Sequence, residues 1–479
     1  MTRHLKSLST LALAAVLLSG CSTLSAINPF DGDGDGADQG NVPGADRRIS
    51  ILELNDSLSV GTNVAPEQIV LPPAYVNTDW PQMGGNPAHV VQHTGASGPL
   101  RKAWSKDVGD GSDRKGFIAA PPVIANGVIY VLDADNTVRA FSEASGDRLW
   151  SFTIEITEAE KTRTRGLSII DRIRDPRSMF EGSGRDKDGV GGGLAVDGGV
   201  LYVTSGLGVL SAVNAASGQE LWRKGVRVPI HSAPTVADGR VYAVTDDNEI
   251  MAFDARDNGN VLWTYQGIVE TARMLTVPAP AVQGEVVLAP FSSGEIVALR
   301  AQNGGVLWQD ALAASARLTP LAALNDISFG PVVADGYVIA AAQSGVMTAF
   351  DFRTGQRIWS QPAGSIGMPW VAGDVVFTAT TDGKIAALSK IDGQVLWATQ
   401  LDQFRKPDKR KDRIVYSGPV LAGDRLVAVS SQGRLLILNP YDGSIIEDRK
   451  LGDTVMVPPI IANETVYLLT DKAKLIALR

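Results

Sequence analysis

The stretch AASGQELW, residues 215 to 222, returns along the chain as EASGDRLW at 143, FRTGQRIW at 352 and KIDGQVLW at 390. Repetition of this kind decides a whole fold, because a unit that cannot bury its apolar faces alone must stack on copies of itself. The turn glycine of the phrase falls at Gly146, Gly218, Gly259, Gly304, Gly355, Gly393 and Gly443, with gaps of 72, 41, 45, 51, 38 and 50 residues. A proline stands 24 residues earlier at Pro122, Pro280, Pro331, Pro369 and Pro419, and 25 earlier at Pro234. The unit is nearly constant; only its connections vary.

One unit, PVVADGYVIAAAQSGVMTAFDFRTGQRIW at 331 to 359, holds three short apolar segments and a fourth ending at Trp, separated by three glycine-bearing turns. Short segments dense in Val, Ile, Leu and Ala fit strands buried on both faces, and glycine supplies the positive φ that tight hairpins need. Each unit thus reads as a four-stranded antiparallel meander. Four strands in roughly 40 to 45 residues is the β-propeller period. Seven units carry the fourth-strand turn, and an eighth beginning at VMVPPIIANETVYLL runs out at Arg479 after three strands. LRKAWSKDV, residues 100 to 108, has the look of a fourth strand with no three before it. The expected fold is all-β: an eight-bladed propeller whose last blade is closed by an N-terminal strand, with Trp80 packing nearby. A seven-bladed ring ranks second, because the unit at 415 to 447 has Glu447 in the Trp position.

Three domains follow from the pattern: a signal at 1–20, a tether at 21–78, and the propeller at 79–479 with an inserted loop at about 155–192. The first twenty residues carry Arg3, His4 and Lys6 ahead of the apolar run LALAAVLL, which matches a secretory signal and is short for a membrane span. The run ends in Leu18-Ser19-Gly20-Cys21, which resembles the bacterial lipobox, and that resemblance implies acyl chains on Cys21 and anchoring to lipid. The alternative is a plain cleavable signal with an incidental Cys. Ser22 after the Cys favours transfer to the outer membrane. Cys21 is the only cysteine, so no intramolecular disulfide forms. Within the tether, DGDGDGADQG starts like an EF-hand, but Val42 stands where the bidentate Glu belongs, and a solvated spacer is expected.

The chain offers little for catalysis. No Gly-rich phosphate loop, G-x-S-x-G or H-E-x-x-H is present. His89, His93 and His231 are the only histidines outside the signal, and the His89/His93 pair lacks an acidic partner for zinc. A formal charge of -8 over 479 residues gives no nucleic-acid signature. No cofactor is expected.

The repeats resemble the PQQ-type propeller repeat over about residues 100 to 479. The resemblance implies that the Gly-x-x-x-Trp end of each blade docks its indole between blades, at Trp104, Trp150, Trp222, Trp263, Trp308, Trp359 and Trp397. It also raises a quinoprotein dehydrogenase or small-ligand sensor as an alternative. In those enzymes the cofactor lies beside a disulfide of adjacent cysteines, which one Cys cannot form. An exported lipoprotein that is otherwise one eight-bladed ring of this kind resembles the BamB family, scaffold subunits of outer-membrane β-barrel assembly. That resemblance implies binding to the POTRA domains of a BamA-like barrel subunit, with unfolded outer-membrane clients as a further possibility through strand addition at blade edges. Arg273, in ARMLTVPAPAV, and Asp326, in NDISFGPVV, match the family's contact positions. Ser328 replaces a second acidic position, and Glu270 and Ala272 stand where apolar contacts are expected. The Arg273 fork suits carboxylates or carbonyls, and could equally be solvated or bridged to Asp326.

Two segments break the repeat with basic charge: the insertion, with eight Lys and Arg between Lys161 and Lys187, and RKPDKRKDR at 405 to 413. Solvation is one reading of both; contact with acidic partners or anionic lipid is the sharper one.

Overall fold

The computed structural model describes residues 58–59, 69–113, 116–155, 191–226, 228–270, 277–312 and 325–479. Cys21, Arg273 and nearly all of the expected insertion lie outside these residues. Eight four-stranded antiparallel sheets form the blades. Blade 5 shows the plan: Val332–Ala334, Tyr337–Ala341, Met347–Asp351 and Arg357–Gln361 pair in that order. Blades 1 to 4 begin at Val123–Ala125, Gly192–Asp197, Thr235–Ala237 and Ala281–Gln283, and blades 6 and 7 at Trp370–Ala372 and Tyr416–Leu421. Blade 8 takes Ile460–Ala462, Thr465–Leu469 and Lys474–Leu478 from the C-terminus, and Lys102–Asp107 pairs antiparallel with Lys474–Leu478 as its fourth strand.

Apolar burial is divided among the gaps between blades. Tyr242 and Ile250 of blade 3 share a cluster with Val287 and Leu299 of blade 4, while Ile296 and Ala298 on the other side of blade 4 meet Val338 and Phe350 of blade 5. Both faces of a middle strand are therefore buried, which is why these strands are continuously apolar rather than alternating.

Seven of the eight gaps are clasped by the repeated phrase. The Trp150 Nε1–H donates to the Ala215 carbonyl of the next blade at 3.0 Å, and Trp263, Trp308, Trp359 and Trp397 make the same bond to Ala301, Phe352, Lys390 and Pro440 at 2.8 to 2.9 Å. The turn glycine of the next blade lies flat on the indole: at Gly218, φ is 74°, and a β-carbon would stand 2.6 Å from the Trp150 ring. Only glycine gives both that φ and that approach. Trp222 lies under Gly259 in the same way, whereas a β-carbon on Gly146 would meet the Lys106 side chain first, at 2.9 Å, with the Trp104 ring 3.4 Å away. Within its own blade every one of these seven indoles sits opposite an alanine: Ala477, Ala140, Ala212, Ala252, Ala298, Ala349 and Ala387. Small cross-strand partners make room for the ring.

A β-bulge at this point recurs in all eight outer strands, skipping Leu149, Leu221, Leu262, Leu307, Ile358, Leu396, Ile446 and Ala103. A bulge re-aims the side chains on either side of it and bends an outer strand away from edge-to-edge pairing. Blade 7 lacks the indole. There Glu447 sits opposite Ile437 and accepts from Arg101 at 3.1 Å, and Arg449 donates to the Leu100 carbonyl at 2.8 Å. The ring is thus joined between blades 7 and 8 by polar bonds where other junctions have a Trp.

The segment from Asn77 to Thr94 crosses the axis and touches all eight blades in order. Backbone N–H groups of Asn463, Ile124, Val196, Val236, Val282, Val333, Gly373 and Gly423, one from each blade beginning with blade 8, donate to Asn77 O, Trp80 O, Pro81 O, Gln82 Oε1, Pro87 O, Ala88 O, Gln92 Oε1 and Thr94 O at 2.7 to 2.9 Å. An inner strand presents an unpaired edge to the axis, and buried donors must be satisfied. The strap satisfies one in every blade. Trp80 stacks on Trp370 of blade 6 with centroids 6.1 Å apart. Ile69 is buried in the same core cluster, so the expected boundary between tether and propeller at 78 falls inside chain that already lies against the ring.

His89 and His93, considered for zinc, are both tied to the strap's carbonyl partners. His89 Nδ1 lies 2.7 Å from Pro331 O, and the nitrogens of His93 face Pro72 O and Gly423 O at 2.6 and 2.9 Å. Burial pushes the His89 imidazole down to about 4, against a smaller upward pull from the Pro331 carbonyl. The unfolded chain takes up this proton near pH 6.5, the folded one only near 4. The associated stability is therefore complete above pH 6.5 and is lost as pH falls toward 4, by up to about 3 kcal/mol. His89→Asn keeps a donor for Pro331 and removes the titration, so its urea midpoint should fall less than that of the unaltered protein between about pH 7 and 4.5. Asp471, raised to about 6 by burial, acts in the opposite sense, so the comparison between variants isolates His89. Parallel acid profiles for the two proteins would refute the assignment.

Candidate functional site

Alternating strand direction puts the first-to-second and third-to-fourth turns on one face of the ring. The second-to-third turns and the blade-to-blade connections share the other, the connection face. All the long departures from the repeat are connections, so variable chemistry is gathered on that face, as expected of loops held by a rigid scaffold.

Arg273 belongs to the connection from blade 3 to blade 4, and the two ends of that connection are described. At its start Ile268 and Val269 are 58% and 60% exposed. They are held out by their backbone: the Ile268 N–H donates to Glu295 Oε2 at 2.7 Å, and its carbonyl accepts from Asn248 Nδ2 at 2.5 Å. Glu270 and Ala272 stand where apolar contacts were expected before the Arg, but an exposed aliphatic pair stands in the same connection, a few residues earlier. The signal in the sequence was the GIVE run at 267 to 270, two bulky aliphatics in a connection with no strand to bury them.

Asp326 belongs to the next connection, from blade 4 to blade 5. It is 5% exposed, unlike a carboxylate that reaches out to a partner, and its carbonyl accepts from the Gln343 N–H at 3.0 Å. It borders a polar recess with His231, Thr245, Asn248 and Ser292, in which His231 Nδ1 is hydrogen-bonded to Asp246 Oδ1. Asn325 Oδ1, Ser328 Oγ, Gln343 Oε1 and Ser344 Oγ, at the same junction, are buried with no hydrogen-bond partner among the described residues. Such groups are rare in a folded protein and call for an explanation. Ser328 is where a second acidic residue was expected, so that departure lies inside this cluster.

The axis, where a propeller enzyme would hold a small molecule, is crossed by the strap. An apolar recess beside it is lined by Trp80, Met83, His89, Met368, Trp370 and Pro419. Trp80 Nε1 and His89 Nε2 are buried there without hydrogen-bond partners among the described residues. Among the described residues no group of three His, Cys, Asp or Glu is placed to hold a metal ion. A quinone cofactor with calcium needs carboxylate ligands beside an open axial slot, and these residues do not fit it.

The second basic segment is a hairpin, with Phe404–Lys406 paired to Lys411–Arg413 in the connection from blade 6 to blade 7. Among the described residues no helix is long and apolar enough to cross a membrane.

Comparison with known proteins agrees with this architecture. A curated relative from Yersinia pestis, Outer membrane protein assembly factor BamB, is 26% identical over 368 residues, covering 77% of this chain and 86% of the relative. The protein of the same name from Escherichia coli (strain K12) is 26% identical over 370 residues, covering 77% and 86%. Among solved structures, BamB from Moraxella catarrhalis superposes with a TM-score of 0.61 at 18% identity, covering 80% of this chain and 100% of that one. A europium-containing methanol dehydrogenase superposes with a TM-score of 0.60 at 14% identity, covering 82% and 89%. At such identities both structural likenesses speak for the fold alone. The family described as "Outer membrane protein assembly factor BamB" matches residues 88–185 and 177–399, which is more than half of the sequence, and this chain belongs to it.

Proposed function

We propose that this protein is a non-catalytic, periplasm-facing scaffold of outer-membrane β-barrel assembly, anchored by acyl chains on Cys21, that binds the POTRA domains of a BamA-like barrel subunit. The observation that carries the reading is the connection face at blades 3 to 5. An exposed Ile268-Val269 pair shares a connection with Arg273, and the next connection holds buried polar groups without partners among the described residues. Exposed aliphatics and an arginine in one connection are the composition of a protein-binding patch. Arg273 is assigned direct contact. Asp326, being buried, is assigned the role of holding the neighbouring connection in place. The filled axis and the poor fit to a quinone cofactor support the absence of catalysis. Unfolded outer-membrane clients are a further proposed partner, although the bulge in every outer strand shortens the edge open to strand addition.

Arg273→Glu should lower co-purification of the barrel subunit by about tenfold or more, the scale of a lost hot spot, with an unchanged unfolding midpoint. Equal recovery from the Arg273→Glu protein would remove Arg273 from the interface. If gently solubilised, Cys21-anchored protein comes away without the barrel subunit, the scaffold reading itself falls. Quinone absorbance with a matching mass in the purified protein would restore the enzyme reading.

A further inference from the structure

The connection before blade 7 is built as an arm. Its strands pair Phe404 with Arg413 and Lys406 with Lys411, and a single 3-10 turn, Pro407–Lys409, forms the tip. Left-handed backbone at Arg410 and Asp412, φ 46° and 60°, turns the chain back. The base is fixed to the ring: Leu401 and Ile414 are buried, the Ile414 N–H donates to Gln403 O at 2.9 Å, and the Tyr416 hydroxyl donates to Asp402 O at 2.9 Å. Arg413 lies over the Phe404 ring, 5.8 Å from its centroid.

Beyond that base, every residue from Arg405 to Arg413 is exposed. The arm carries six basic and two acidic side chains. Lys406 and Asp412 pair at 3.1 Å, while Arg405, Lys409, Arg410 and Lys411 form no ion pair among the described residues. A charge run that were merely solvated would need no such scaffold.

We propose that this arm docks the protein on an anionic phospholipid surface, with Arg405, Lys409, Arg410 and Lys411 receiving lipid phosphates. Two observations favour lipid over an acidic protein. First, a protein interface needs a desolvated centre of aromatic or aliphatic anchors, and the exposed part of the arm has none, its one aromatic being at the base beneath Arg413. Cations without an apolar anchor bind an anionic surface by summed attraction. Second, the arm is a basic projection on an acidic ring. Acidic residues stand in seven of the eight first-to-second turns and also in second-to-third turns on the arm's own face, at Asp133, Asp247, Asp382 and Asp471, so an anionic surface is met through the arm. The proposal borrows from the scaffold reading only the place where such a surface is met, and vesicle binding tests it without the barrel subunit.

The test uses the chain from Ser22 onward, so that neither an acyl anchor nor the apolar signal contributes, and flotation with phosphatidylcholine vesicles with and without roughly a third phosphatidylglycerol. Flotation is expected with the anionic vesicles only, against the formal net charge of -8, and should disappear as salt rises toward about 0.5 M. Arg405→Gln/Lys409→Gln/Arg410→Gln should lower binding by about tenfold or more at an unchanged thermal midpoint. If that variant misfolds, replacing residues 405–412 by a short Gly-Ser turn makes the same measurement. Absence of flotation, equal flotation of the variants, or flotation that survives high salt would overturn the proposal. So would cross-linking of the arm to an acidic protein without vesicle binding.

Discussion

A chain lacking residues 77–95 should fail to form a stable ring. That segment accepts one backbone N–H from each of the eight blades. At about 0.5–1.5 kcal/mol net for each bond, the loss approaches the whole stability of a typical domain, before the burial of Trp80 is counted. Water entering the emptied axis would recover part of it, so the single substitution Trp80→Ala is the sharper measurement. Trp80 is buried against Trp370 and Val91, and its truncation should cost about 3–5 kcal/mol. Urea unfolding followed by tryptophan fluorescence and circular dichroism reports both. A strap-less chain that unfolds cooperatively at nearly the original midpoint would show that the blades close without it.

Trp263→Ala should cost about 3–5 kcal/mol as well, through a different mechanism. The indole fills the gap between blades 3 and 4 and donates to Ala301 O at 2.9 Å, so truncation leaves both a cavity and an unsatisfied carbonyl. The clasp has two halves. A β-carbon on Gly304 would stand 2.7 Å from the Trp263 ring, at a φ of 71°, so Gly304→Val should approach the same loss by pushing the blades apart. Glu447→Ala, in the equivalent slot of blade 7, should cost under about 1 kcal/mol, because its partner Arg101 is largely exposed and the pair is screened by water. If Glu447→Ala proves as damaging as Trp263→Ala, polar closure between blades 7 and 8 matters more than its exposure suggests.

The repeat was legible because its constraints are local. Gly218 needs positive φ and Trp222 needs volume, and each requirement is written at its own position and copied into the next unit. The alanine opposite each indole emerges only when strands are paired: Ala212 faces Trp222, and Ile437 faces Glu447 where the indole is gone. The strap was harder to read. Six of its eight blade contacts, from Asn77, Trp80, Pro81, Pro87, Ala88 and Thr94, are made through carbonyl oxygens, which every residue possesses, so residue type does not announce them. Gln82 and Gln92 accept through side-chain oxygens, and Asn77 and Trp80 add side-chain contacts to Ile461 and Trp370, but these partners lie hundreds of residues away in the chain. The candidate site divides the same way. Ile268 and Val269 were missed, although two aliphatics in a connection with no strand to bury them were a signal, whereas the burial of Asp326 depends on how two connections and the turn at Gln343 meet. The arm at 404–413 reads as a solvated charge run until Phe404 is placed beneath Arg413.

The residue pattern alone determined the number and kind of blades and the poverty of catalytic motifs. Each of these depends on chemistry held within a few residues or on a period counted along the chain. The tertiary structure decided what fills the axis, which face gathers the departures from the repeat, and which charged residues are buried. Those outcomes are set when a closed ring brings together groups hundreds of residues apart. Asn77 and Ile461 meet across the closure, at 3.0 Å, because the ring's circumference has come back to its start.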